Sequence, residues 1–244
     1  QYWTDDVPTR WKNFTVALSG GRDGAEWTAS IYNDENFFGS EGPEFVFDGQ
    51  GMLTDLRPER VQEGFDQPGI AGSYTREFTS GAILNLTGEV NWFLFDFTET
   101  SVRNPINDIA QTRELFQSED EFNFEIGADY EWETFGGRLK LIGLHRFENS
   151  PTVGRVELFD DSAAILEGSL FEREADEAET VMRAEFTHTA MGGDWQWSLE
   201  GTQNYVDITA ALSVRDENGI LAPVDLPGGS SRVEEDRAEL TVSY

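Results

Sequence analysis

The sequence predicts an all-β fold: an antiparallel meander of long amphipathic strands that makes a transmembrane β-barrel or a segment of one. Three observations lead there. Apolar and polar residues alternate with period two in segment after segment, the signature of strands with two different faces. Short glycine-bearing connections alternate with long acidic ones. Composition agrees: 24 glycines and 13% aromatic residues accompany only 38% hydrophobic residues, low for a chain with an ordinary buried core. The 18 Phe, 7 Trp and 6 Tyr exclude a disordered acidic tail.

The first strand is expected from about 12 to 19, with Phe14, Val16 and Leu18 on one face. The second, 25–33, groups Trp27, Ala29 and Ile31; the third, 70–79, aligns Tyr74 with Phe78. The fourth, 82–96, sets Leu84, Leu86, Val90, Trp92 and Leu94 against Asn85, Thr87, Glu89 and Asn91. The fifth, 121–133, is cleanest: Phe122, Phe124, Ile126, Ala128, Tyr130 and Trp132 share one face, and Asn123, Glu125, Gly127, Asp129 and Glu131 the other. The sixth, 138–147, carries Leu139 and Leu141 opposite Lys140, but Ile142 and Leu144 blur it. The seventh, 177–189, opposes Met182, Ala184 and Phe186 to Glu179, Arg183 and Glu185. The eighth, 195–206, opposes Trp195, Trp197 and Leu199 to Gln196, Ser198 and Glu200. The ninth, 237–244, opposes Ala238, Leu240, Val242 and Tyr244 to Glu239 and Thr241. Several reach the roughly 9–11 residues a tilted strand needs to cross a bilayer.

Four connections are short, centred near residues 22, 80, 136 and 192, and their glycines supply the positive φ of hairpin turns. The other four, about 34–69, 98–119, 148–176 and 207–236, are long and are expected as outer loops. Strict alternation of short turns and long loops is how transmembrane barrels are built. Within the long connections, Glu44–Phe47 and Met52–Thr54 around Asp48-Gly49-Gln50-Gly51 predict an extension hairpin. Asn218-Gly219 predicts a further turn, and the spacing of Ile106, Ile109, Arg113 and Phe116 a short helix. Trp27, Phe78, Trp132, Phe135, Phe186 and Trp195 gather beside the short turns, where amphipathic rings form an interfacial girdle.

Charge and composition exclude several function classes. Lys and Arg number 17 against 47 Asp and Glu, a net charge of −30 that leaves no basic face for nucleic acid. With no cysteine, zinc fingers, iron–sulfur clusters, thiol nucleophiles and disulfide scaffolds are excluded. No run approaches 18 apolar residues, so no transmembrane helix is predicted, and the opening residues do not read as a signal peptide. Adjacent carboxylates (Asp5-Asp6, Glu119-Asp120-Glu121, Asp160-Asp161, Glu234-Glu235-Asp236) are expected on solvated segments of so acidic a chain and mark no catalytic pair. His145 and His188 lack metal-ligand spacing and read as interfacial or luminal polar residues. The acids Asp34, Glu35, Glu41 and Glu44, and Asp160 with Asp161, have the oxygen ligands calcium takes but no EF-hand spacing, and read as solvated acidic loop. The expectation is a non-enzyme with no cofactor and no resident metal.

The blocks Ser19–Gly24, Phe135–Gly143 and Met191–Gly201, with the charged return Arg232–Arg237 into the last strand, resemble the barrel of a TonB-dependent outer-membrane receptor over nearly the whole chain. The resemblance implies a Gram-negative outer membrane, contact with its lipid, a scarce nutrient such as a metal chelate or oligosaccharide as small ligand, and energising by the TonB complex. Such receptors look like large barrels of about 22 strands closed by an N-terminal plug. Nine strands with no plug therefore imply a barrel segment, with the plug domain not present in this chain. Leu240–Tyr244 also resembles an aromatic-ended closing strand, which implies a small stand-alone barrel, a passive pore or structural protein. A secreted acidic all-β binding module is the non-membrane alternative. As ligand contacts the outer segments offer Phe37, Phe38, Phe45 and Phe47, with Asp160 and Asp161; acidic loops would steer a cationic ligand.

Overall fold

The computed structural model describes residues 12–103, 110–216 and 218–244. Every regular element among them is a strand: β1 (Phe14–Arg22), β2 (Ala25–Phe47), β3 (Leu53–Glu77), β4 (Ile83–Arg103), β5 (Gln111–Thr134), β6 (Gly137–Asn149), β7 (Thr152–Asp160), β8 (Ile165–Ala190), β9 (Gly193–Arg215), β10 (Leu221–Val224) and β11 (Ser230–Ser243). All pair antiparallel in one sheet.

The eleven segments make nine tracks. β6 and β7 keep one register against β5 and β8 on both sides of Ser150–Pro151. Proline has no N–H to give the ladder, so regular pairing lapses there. The Pro151 carbonyl still accepts from Asp120 N at 3.1 Å, and Ser150 N donates to Ala175 O at 2.8 Å. β10 and β11 both continue along β9, their registers offset across residues 225–229. Among the described residues β1 and β11 make no contact, so each leaves one edge of the sheet open.

Three of the four short turns are the same object. Asp23-Gly24, Phe135-Gly136 and Met191-Gly192 each place two residues at positive φ, between 52° and 83°. This two-residue turn has the twist of the strands it joins. Glycine takes the second position without strain, whereas Phe135 and Met191 occupy a region L-residues avoid and stand 90% and 93% exposed. The fourth turn, Phe78–Ala82, closes with Gly81 at φ 81°.

The segments expected as long loops are corrected by the ladder. β2 and β3 stay paired through 34–69 except at the tip 48–52, and β8 and β9 pair through 169–176 and 207–214. Strand also runs to Arg103 and resumes at Gln111, so the helix expected at Ile106–Phe116 is absent over 111–116; Ile106 and Ile109 lie outside the described residues. In these outer halves polar and apolar residues fall on both faces, Phe37 and Phe45 on one and Phe38 and Phe65 on the other, which erases the alternation while leaving backbone pairing intact. The hairpin around Asp48 and the turn at Asn218-Gly219 are present as expected.

Stagger is measurable from the register. The row through Arg22 and Ala25, beside the first turn, runs by direct pairing through Arg76, Leu84, Tyr130, Leu141 and Ala184 to Leu199. There it lies six residues above Ala190 and Gly193, which flank the fourth turn. One residue of offset per track, at ~3.3 Å rise and ~4.8 Å strand spacing, is a tilt of about 35°, in the range of barrel walls.

Alternation gives the sheet two unlike faces. On one lie Val16, Leu18, Trp27, Ile31, Ile70, Leu86, Trp92, Ile126, Met182, Trp197, Leu199 and Leu240, all solvent-exposed. No second layer covers them: among the described residues the only buried apolar side chains are Ala82 and Ala175. On β4 this band runs from Leu84 to Leu94 and ends at Asp96; at that tilt ten residues of rise span about 27 Å. The opposite face is a polar lattice. Thr75 donates to Asn85 (2.8 Å), Asn85 to Asp129 (3.0 Å), and Lys140 lies 3.4 Å from Asp129, linking four tracks. Glu200 gathers Arg183 (Nε at 2.7 Å) and Arg237 (3.1 Å). Ile142 and Leu144 fall on this polar face by register, which is why the sixth strand reads untidily.

Aromatic rings lie over glycines of neighbouring strands. Trp27 covers Gly20, Phe37 covers Gly64, Tyr32 covers Gly69, and Tyr244 covers Gly193. A side-chain carbon at Gly20 would come within 2.9 Å of Trp27, and one at Gly64 within 2.6 Å of Phe37. These glycines are required by close approach. Each lends its ring a flat seat, the cross-strand device that compensates a strand glycine.

Candidate functional site: the outer polar face

The strands that make the site reach far beyond the apolar band, toward the turns at 48–52, 160–164 and 216–220. Those turns share one construction. An aspartate (Asp48, Asp160, Asp216) opens each, and its own N–H is closed by the carbonyl four residues on, at 2.8, 3.0 and 2.9 Å. The fourth residue sits at positive φ: Gly51, Ala163, Gly219. The aspartate Oδ1 accepts the N–H groups two and four residues ahead, all at 2.8–2.9 Å. This is local side-chain capping of a turn.

Asp160 was expected to contact ligand; its carboxylate instead serves its own turn. The Ser162 hydroxyl and the Ala164 N–H hold it below the usual aspartate range, and the Ile220 and Asn218 N–H groups do the same for Asp216. A depressed folded-state value means the turn is stabilised above the ordinary aspartate range and loses that support as pH falls through the lowered value. Protection of the Ser162, Ala164, Asn218 and Ile220 amides in hydrogen exchange is therefore expected at neutral pH. It should fall in acid only below about pH 4, and Asp160→Asn should remove the pH dependence at the first turn. Acid-insensitive protection in the parent chain would show that the carboxylate does not hold the turn.

The aromatic candidates do not form one patch. By register Phe38 lies on the polar face and Phe37 and Phe45 on the other; Phe45 and Phe47 are exposed near the hairpin tip. Asp161 is exposed at its turn. Of the six girdle residues, Trp27, Trp132, Phe186 and Trp195 sit on the apolar face three to five residues from the positive-φ pair of a short turn. Phe78 packs edge-on to Tyr130 at 6.2 Å under the Arg76 guanidinium, while Phe135 stands alone at its tip. Trp195 packs against Tyr244 with ring centroids 4.8 Å apart and planes tilted by 51°. His145 bonds Thr180 Oγ1 at 2.8 Å beside Phe124, and His188 stacks on Phe186 at 5.2 Å. Of the acids with calcium-type oxygens, Asp34 and Glu44 lie on one face of β2 and Glu35 and Glu41 on the other; Glu35 pairs with Lys12 (3.3 Å) and Glu44 with Arg57 (3.2 Å). No cluster of three metal-ligating side chains occurs among the described residues.

What the structure adds is a stripe of rings on the otherwise polar face. Phe65 and Phe93 stack at 5.6 Å, and Phe93 and Phe95 at 6.3 Å with planes 4° apart. They follow directly on Asn85, Thr87, Glu89 and Asn91 along the same face of β4. The signal was present in the sequence, since odd positions in this strand stay on one face from 85 to 97. Beyond the rings lies a charged belt. Arg57 bonds Asp55 (2.7 Å) and Glu44, and Arg113 bonds Glu99 (2.6 Å). Burial first, then Glu44 and Glu99, raise the Glu59 carboxyl. Half-buried rings below a charged rim, on an extended wall, can hold a small ligand by stacking and direct hydrogen bonds.

The sequence matches no protein-family model, and no match is found among curated proteins or among solved structures.

Proposed function

We propose that this chain forms part of the wall of an outer-membrane β-barrel receptor, with its apolar band against lipid and its long outer strands presenting a ligand-binding face. The observation that carries the reading is the exposed apolar face with no second layer. A soluble sandwich would bury that face against another sheet, whereas lipid buries it without one. The 35° tilt, the band of about 27 Å and the asymmetry of the two ends fit the same solvent. As the polar face meets water, the charged lattice needs no neutralising layer. Uptake of a small nutrient, energised by the TonB complex through a plug domain not contained in these residues, is the activity this architecture would serve; lipid and TonB are its partners. The reading assigns binding and passage, supported by the stacked rings below a charged rim on the outer polar face.

The test is extraction from native membranes with intact-mass measurement, followed by ligand uptake in cells with and without TonB. Recovery only with detergent, at a mass several-fold above 27.4 kDa, with uptake lost when TonB is absent, is the expected result. A detergent-soluble mass near 27.4 kDa with TonB-independent flux would replace the receptor with a small pore. Recovery without detergent would overturn the membrane reading.

A further inference from the structure

Along the polar face Arg138, Lys140, Arg146, Arg183 and Arg237 are each paired with an acid: Glu131, Asp129, Glu148, and Glu200 for the last two. Other acids of that face are left without a base. Glu89 on β4 and Glu125 on β5 are direct register partners on the same face. Glu121 lies two same-face positions outward of Glu125. None of the three makes an ion pair among the described residues. Their donors are neutral: the Tyr32 hydroxyl and Asn91 (3.4 Å) for Glu89, Asn123 (3.4 Å) and Ser150 (3.3 Å) for Glu121. Like charges directly opposite on paired strands repel, so Glu89 and Glu125 lack a neutralising partner.

A groove of about 290 Å³ opens among these residues across β3, β4, β5 and β6. Its single base, Arg146, is held by Glu148 at 3.1 Å. The stacked rings close its outer end. Phe65 follows Gln67 outward on the polar face of β3, Phe93 follows Asn91 on β4, and Phe93 stands directly opposite Glu121. Phe95, parallel to Phe93 within 4°, prolongs the wall.

We propose that this groove binds a small organic cation, an ammonium group carried on an apolar body, with its head among Glu89, Glu121 and Glu125 and its body against Phe65 and Phe93. Two observations meet there. The carboxylates supply uncompensated negative charge, and the rings supply the one apolar wall beside it. An ammonium is drawn to the face of an aromatic ring within about 6 Å of its centroid, and it donates charge-assisted hydrogen bonds to carboxylates. A bare metal ion is a poorer match. No cluster of three metal-ligating side chains occurs among the described residues, and rings offer such an ion no oxygen. The groove is on the polar face, away from the apolar band, so the cation is a dissolved solute. The net charge of −30 draws cations toward that face from a distance.

The proposal deepens the receptor reading and rests on the polar face meeting water, yet it is tested apart from uptake. Equilibrium binding of phenethylammonium, neutral phenethyl alcohol and anionic hydrocinnamate to the isolated full chain is measured in zwitterionic detergent. Saturable binding of the ammonium is expected, at least about tenfold tighter than the alcohol and weakening with salt, with none for the anion. At matched ionic strength magnesium should displace it no better than sodium. E121Q, E125Q and F93L should each weaken it about fivefold, while E235Q, at an exposed acid on β11, leaves it unchanged. E125Q should also raise the urea midpoint by relieving Glu89, so its lost binding cannot come from misfolding. R146Q, which frees Glu148, should tighten binding several-fold. Equal binding of the alcohol or the anion, preferential displacement by magnesium, or undiminished binding in E121Q, E125Q and F93L overturns the proposal. Absent binding by a chain that needs detergent sinks this site alone; saturable binding by a chain that needs none keeps the site and sinks the receptor.

Discussion

Leu199→Arg is expected to destabilise the membrane-embedded protein by about 2–4 kcal/mol, the cost of a cation at mid-bilayer on the lipid face of a barrel. Leu199 is exposed on the apolar face, six residues up from the pair flanking its turn, which the tilt places near mid-band. The neighbouring change Ser198→Arg is the control. Ser198 points to the polar face and pairs with Glu185, and Glu200 and Glu239 line the same groove, so a guanidinium finds acids there. That variant should stay within about 0.5 kcal/mol of the parent. Urea titration in lipid vesicles measures both. Equal, small effects at the two positions would mean that both faces meet water, and the lipid assignment would fail.

Gly69→Val should be nearly as damaging, for a different reason. Tyr32 lies flat across Gly69, and its hydroxyl reaches over the strand to Glu89. Any side chain at 69 occupies the space of the ring. Tyr32 must leave, the bond to Glu89 is lost, and overpacking costs about 1–3 kcal/mol. Gly72→Val, three residues on, is the comparison. Its nearest neighbour is the Thr28 carbonyl at 3.3 Å, with no ring seated on it. A double-mutant cycle of Gly69→Val with Tyr32→Ala separates seat from ring: if the ring is the obstacle, the two losses are not additive. Additive losses would show that the glycine is needed for its backbone alone.

Strand identity and face were legible wherever the two faces differ chemically. From 122 to 132 the alternation is perfect because one side is apolar and the other polar. Past Asp96, and from about 34 to 69, both sides mix polar and apolar residues, the period disappears, and paired strand reads as loop. The repeated Asp-led turns were only partly legible: Asp48 and Asp216 stand near Gly51 and Gly219, whereas Ala163 takes the same positive φ without the glycine that would announce it. Residue type alone singles out Phe37, Phe38, Phe45 and Phe47 while their segment reads as a loop. Once the segment is strand, Phe37 and Phe38 necessarily part company. Phe93 and Phe95 interrupt the polar, odd-numbered face of β4, where alternation predicts polar residues and so marks no ligand face.

The count of tracks has a directional consequence. In a meander each track reverses the last, so the first and ninth point the same way: β1 and β11 both run toward the end with the short turns. Their free edges are therefore like-handed and cannot zip to each other in antiparallel fashion. A copy of the chain standing upright beside the first would bring the same mismatch to the seam. Any wholly antiparallel ring that includes this sheet must interpose an odd number of further strands between its two margins. The first of them must climb outward beside β11, and the last must climb outward beside β1.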